Sequence, residues 1–173
     1  MSERRYYPLW FRLNQQDGYF LWFSDEPDGV FLTDDNRIVV SQNRASLKAY
    51  TAQLGLPLEP EDPLLHDLDT VQTWLLNQNA SAIHCRDFLA AWNLFDDIRA
   101  SVQHITDVGS NSAEIEDIYD KLFFGNNLPA ITPEGKTYIP EWTSEEVTLL
   151  VDLFTQGLND FRNRLFFSEP GGA

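Results

Sequence analysis

The spacing of apolar positions changes period once along the chain, near residue 45. Before that point side chains alternate: Tyr7, Leu9, Phe11 and Leu13 fall on one face, with Pro8, Trp10 and Arg12 on the other. A period of two predicts a β-strand with one fully apolar face. Tyr19 to Phe23 is apolar on both faces, which predicts a central strand, and Asn14-Gln15-Gln16-Asp17-Gly18 reads as the hairpin loop between the two. Asp25-Glu26-Pro27-Asp28-Gly29 has the composition of a turn. Val30–Thr33 and Arg37–Val40, joined through Asp34-Asp35-Asn36, then complete an antiparallel meander of about four strands over residues 5–41.

From residue 45 to about 166 the period is helical. Leu47, Tyr50 and Leu54 fit a helix over Ser46–Leu54, with Gly55 in the C-terminal cap. Leu56–Pro63, with three prolines and three acids, reads as a loop. A short helix carries Val71, Trp74 and Leu75, with Asp69 or Thr70 as its cap, and ends by Asn77–Ser81. Ile83–Gln103 is the most apolar helix, its narrow polar arc holding Arg86, Asn93, Asp97 and Ser101. After a loop at Thr106–Asn111, Asn111 and Glu114 form a capping-box pattern for a helix over Ser112–Phe124. Gly125–Trp142 is a loop rich in proline, and Thr143-Ser144-Glu145-Glu146 opens the clearest helix. Its stripe is Val147, Leu150, Val151, Phe154, Leu158, Phe161 and Leu165. Ser168–Ala173 reads as a frayed tail. Strands first and helices after predict an α+β fold, a meander packed against four to five helices, in one domain over 1–173.

Composition agrees with a packed core: 43% of residues are hydrophobic and 13% aromatic. No apolar stretch approaches the roughly 20 residues of a membrane span, and Arg12 and the 14–18 turn interrupt the only candidate secretory run. A lone cysteine, Cys85, leaves no internal disulfide or multi-cysteine metal site. These features predict a cytoplasmic protein without membrane association.

Chemistry is sparse. No G-x-S-x-G and no glycine-rich phosphate loop occurs. Cys85 follows His84, but neighbours on a helix point about 100° apart, so Cys85 reads as a small buried hydrophobe and not as an activated thiol. His66, His84 and His104 lack the spacing of a helical metal pair. The acidic stretches 25–29 and 107–111 do not match a calcium loop. Asp96 and Arg99, three apart, read as a partly buried ion pair. The expectation is therefore no enzyme, no cofactor and no metal. A hydrolase whose residues only the fold assembles is the minor alternative.

Charge is the outlying quantity: 27 acidic against 12 basic residues, a net of −15. Such a field repels nucleic acid and attracts basic proteins; acidity serving solubility alone is the competing reading. The carboxylates fall in three groups with few interleaved bases. Asp25, Glu26, Asp28, Asp34 and Asp35 lie in the meander turns. Glu116, Asp117 and Asp120 lie on the outer face of the 112–124 helix, with Glu114 beside them. Glu59, Glu61, Asp62, Asp67 and Asp69 form the third. The first two groups, with Tyr138 and Trp142 as aromatic anchors, are the expected partner-binding residues; Trp10 is a further candidate anchor.

Three stretches carry a resemblance: Tyr6-Tyr7-Pro8-Leu9-Trp10-Phe11, Tyr19-Phe20-Leu21-Trp22-Phe23, and Tyr119 through Ala130 (YDKLFFGNNLPA). Together they resemble bacterial immunity proteins of contact-dependent growth inhibition and related toxin systems. The resemblance implies a compact acidic cytosolic inhibitor that neutralises a cognate basic toxin, commonly a nuclease, by covering its active site. It covers about a third of the chain and transfers no functional residue. The alternative expectation is an acidic nucleic-acid mimic from a phage or mobile element that inhibits a host DNA- or RNA-binding protein.

Overall fold

The computed structural model describes residues 3–103 and 112–168. Strands β1 (Arg5–Leu13) and β2 (Gln16–Ser24) pair antiparallel from Arg5↔Ser24 to Leu13↔Gln16. Their loop is only Asn14 and Gln15, both left-handed at φ 53° and 60°. Positive φ at both central positions gives the turn whose twist matches the flanking strands. The Asp69 carboxylate holds it, accepting from the Asn14 and Gln15 amides at 2.6 and 2.8 Å. Gly18 is thus a strand residue and not part of the turn. A Cβ there would stand 2.6 Å from the Phe11 ring and 2.7 Å from Val40.

β3 (Gly29–Val30) pairs antiparallel with β2, as expected, but the fourth strand of this sheet is not 37–40. β5 (Leu65–Asp67) lies parallel to β1, giving the order β3-β2-β1-β5. β4 (Ile38–Val40) instead pairs in parallel with β6 (Leu165–Phe167), forming a second, two-stranded sheet, and a Tyr19–Ser41 bridge joins its end to β2. Both β5 and β6 are three residues long. Such strands are fixed by a distant partner and leave no period of two to read.

Helices α1 (Arg44–Gln53), α2 (Leu68–Asn77), α3 (Cys85–Gln103), α4 (Ala113–Gly125) and α5 (Ser144–Arg164) complete an α+β fold. Asp67 caps α2 by accepting from the Asp69 amide, so neither Asp69 nor Thr70 is the cap. Ser112 caps α4 in place of the expected Asn111. The capping box at Thr143 and Glu146 is present in full. The loop expected at Thr106–Asn111, His104, and the tail beyond Ser168 lie outside the described residues.

One apolar cluster joins sheet and helices. Phe161 of α5 meets Phe11 and Phe20 of the sheet with ring centroids 5.1 and 6.1 Å apart, and Phe154 meets Phe88 of α3 at 5.0 Å. Each such fully buried ring contributes about 2–3 kcal/mol. Gly157 brings α5 close to α3: a Cβ there would stand 2.2 Å from the Phe95 ring. Among the described residues no helix is long and apolar enough to cross a membrane.

Candidate functional site

The three acidic groups differ in what they do for the fold. In the meander turns, Asp25 pairs with Arg4 at 2.9 Å and accepts from the Glu26 amide, while Asp28 accepts from the Asp25 amide at 3.0 Å. The Glu26 amide and then Arg4 hold the Asp25 carboxyl below its usual range. Asp35 accepts from the Thr33 hydroxyl at 2.5 Å, which lowers it likewise, and faces Arg37 at 3.2 Å. Only Glu26 and Asp34 of this group are exposed without a side-chain bond to another described residue. In the third group Asp67 caps α2, Asp69 holds the hairpin and Asp62 pairs with Arg44. Four of these ten carboxylates, Asp25, Asp28, Asp67 and Asp69, thus accept from backbone amides and shape turns or caps, as short acceptors do wherever backbone amides lack a partner.

On α4 the situation is different. Glu114, Glu116, Asp117 and Asp120 are all exposed, and none bonds or pairs with another described side chain. Ile118 and Leu122 occupy the buried face. The nearby base Lys121 is already committed: its ammonium donates to the Glu141 carbonyl and to Glu146, each at 2.8 Å, and lies 5.6 Å from the centroid of the Trp142 ring. Burial works against ionisation of Glu146, but its bonds to Lys121 and Thr143 win and keep its carboxyl lowered. Repulsion along α4 thus stays uncompensated.

Residues 126–142 fold back along this helix. Asn126 donates to the Leu122 carbonyl at 3.0 Å, and Asn127 exchanges side-chain bonds with the Tyr138 backbone at 2.9 and 2.7 Å. A Cβ on Gly125 would strike Cys85 at 2.4 Å and touch Pro140 at 3.0 Å, so its absence lets the returning loop close on the helix end. The result is a groove of about 340 Å³ lined by Glu114, Asp117, Asp120, Lys121, Phe124, Tyr138 and Glu146. Tyr138 is 43% exposed and Ile139, beside it, 78%. Of the ten exposed large hydrophobic residues among the described ones, five fall between 124 and 139: Phe124, Leu128, Ile131, Tyr138 and Ile139.

The expected site residues therefore divide. Glu116, Asp117, Asp120 and Tyr138 come together on one side of the molecule, with Asp117, Asp120 and Tyr138 in one groove. Trp142 is half-buried against the core and serves as a platform for Lys121. Trp10 stacks on Tyr19 across the hairpin, the ring planes 7° from parallel. Phe124, Leu128, Ile131 and Ile139 are additions. For Leu128, Ile131 and Ile139 the signal in the sequence was apolar residues in a loop with no period to bury them, and for Phe124 an apolar residue at the end of a helix, off its buried stripe.

A second cleft, of about 560 Å³, holds Trp22, Asp28, Leu64, His66, Asn93, Asp96 and Asp97. Burial pushes the Asp97 carboxyl up to about 6, against the Trp22 indole N–H that it accepts at 2.9 Å; the Asp28 and Asp96 charges add to the rise. Asp97 is thus half-buried, although its place on the polar arc predicts exposure. Asp96 is raised by burial too, and pairs with Arg99 at 2.8 Å as the spacing predicts, while accepting from Trp92 at 3.1 Å. Asp97 thereby ties α3 to β2, whereas Asp96 is held by Trp92 and Arg99 of its own helix. Burial lowers the His66 imidazole, and its Nδ1 lies 3.3 Å from the Leu64 carbonyl. His84 pairs with Asp87 at 3.0 Å, and burial raises the half-buried Cys85 thiol, which keeps it a poor nucleophile. Among the described residues no group of three His, Cys, Asp or Glu side chains has metal-binding geometry.

No protein-family model matches the chain, and neither does any curated protein. Among solved structures the fold is similar to the C-terminal domain of SatS, crystallised in complex with bromine. The TM-score is 0.52 at 13% identity, covering 94% of each chain. At that identity the likeness extends to the fold alone.

Proposed function

We propose that this protein is a binding module for a basic protein, and specifically an immunity protein that neutralises a cognate basic toxin of nuclease type by covering its active site. The observation that carries the reading is the α4 face: four exposed carboxylates with no cation of the described residues spent on them, beside Phe124 of the same helix and a folded loop that exposes four more large apolar side chains. Surface acids that serve solubility need no such neighbours. An apolar patch rimmed by one sign of charge is the composition of a protein interface, in which desolvated side chains supply affinity and charge supplies orientation and on-rate. The net charge of −15 disfavours nucleic acid as the partner. It suits a protein whose own surface is built to hold phosphates, because carboxylates can occupy the same cationic sites.

The test is to assay the product of the gene adjacent to this one as the cognate toxin. The purified protein is expected to form a 1:1 complex with it, to abolish its activity at equimolar concentration, and to associate more slowly as salt is raised. Full toxin activity at saturating protein contradicts the proposal.

A further inference from the structure

We infer that partner docking occurs on the face made by α4 and residues 124–140, and that its occupant is an arginine-bearing protein segment with an apolar anchor. The inference rests on the reading of the partner as a basic protein, and adds where it docks and with which side chains. Glu114, Asp117, Lys121 and Phe124 follow one another at i, i+3, i+7 and i+10, a single stripe along α4 that opens into the groove. Asp120 and Tyr138 close the other side.

Carboxylates next to an accessible aromatic ring favour a guanidinium over an ammonium. Its planar fork can bridge two acceptors while its face stacks on the ring, and it sheds water more readily. The protein already uses this arrangement internally: the Arg4 guanidinium pairs with Asp25 while lying 4.0 Å above the Phe23 ring. In the groove the acids and the ring are present without the arginine. Ile139 and Leu128 extend the apolar part of the surface along the same loop and offer a seat for a neighbouring apolar side chain. The meander turns are the poorer candidate. Asp25, Asp28 and Asp35 are engaged within their own turns.

The probe is a fluorescent peptide of alternating arginine and leucine, compared with its lysine counterpart, at low salt. Amide shift mapping by NMR is expected to place the peptide on 113–125 and 136–140. Asp117→Asn with Asp120→Asn should weaken binding by about tenfold or more, whereas Glu26→Gln with Asp34→Asn, an equal loss of charge, should leave it nearly unchanged. Tyr138→Ala should weaken the arginine peptide more than the lysine one. The α4 variants relieve repulsion within the helix, so circular dichroism should show the fold retained. Shifts centred on 25–35, or equal loss from both charge pairs, overturn this docking surface while leaving the basic-partner reading intact. Absence of binding by the unaltered protein overturns both.

Discussion

Asp97 illustrates how burial, and not position on a helical wheel, sets the state of a carboxylate. Its place on a polar arc predicts a solvated aspartate, yet β3 packs against that arc, where the Val30 amide donates to Ser101, and Trp22 of β2 donates its indole N–H to Asp97. The folded carboxyl is raised to about 6 from an ordinary 3.8. A raised acid binds its proton more tightly in the folded state, so its contribution to stability is present below about pH 4 and is lost as pH rises through 6. Asp97→Asn keeps an acceptor for Trp22 without the charge. It is expected to be more stable than the unaltered protein by about 2 kcal/mol at pH 8, with the difference shrinking towards pH 4. Urea unfolding at the two pH values measures this, and a difference independent of pH contradicts it. The other acids teach the same lesson. Asp25, Asp28, Asp67 and Asp69 look alike in the sequence, but each is assigned a backbone amide by a turn or cap that only the folded chain defines. The exposure of the α4 acids was legible because a helix with a known buried stripe fixes what its opposite face shows.

At the scale of elements, legibility followed length and local signals. The five helices were readable because each repeats its apolar stripe; of the caps only that of α5 was read at its residue, that of α2 lying before the expected position, that of α4 just after it, and that of α1, Asn43, giving no signal that was read. The α5 cap is local in origin and its loss should be local in effect. Thr143→Ala removes the acceptor for the Glu146 amide and is expected to cost about 1 kcal/mol. The measurement is the shift in urea midpoint at constant slope, and a shift of zero would show that Glu146 and Lys121 hold the helix start without it. β1 was legible from alternation and β2 from a run apolar on both faces, whereas β5 and β6 were not. Leu65-His66-Asp67 follows a proline-rich loop, and the apolar stripe read for α5 runs on to Leu165, which is the first residue of β6. Their strand character comes from β1 and β4, which lie 55 and more than 120 positions away. The same holds for the exposed loop residues Leu128, Ile131 and Ile139. Their exposure depends on the way Asn126 and Asn127 turn the chain back along α4.

Across the whole molecule the α+β class was set by the order of elements and by the apolar content, while the acidity has its own physical consequence. With a net charge of −15, self-repulsion opposes the compact state and is screened by salt. Thermal stability should therefore rise as sodium chloride increases from about 10 to 500 mM, a range over which the Debye length falls severalfold. Asp117→Asn with Asp120→Asn should reduce that salt response, because both charges lie on the uncompensated helix. A melting temperature that falls with salt would mean that the ion pairs, such as Arg4–Asp25 and Arg164–Asp160, outweigh the repulsion. The same excess charge is what a basic partner would neutralise. The most direct test of this account is an activity titration of the product of the adjacent gene, the proposed toxin, run in parallel with the unaltered protein and with the Asp117→Asn, Asp120→Asn, Tyr138→Ala variant. The account predicts stoichiometric inhibition by the unaltered protein and an inhibition constant weakened by about a hundredfold in the variant. Equal potency of the two proteins, or no inhibition by either, would contradict it.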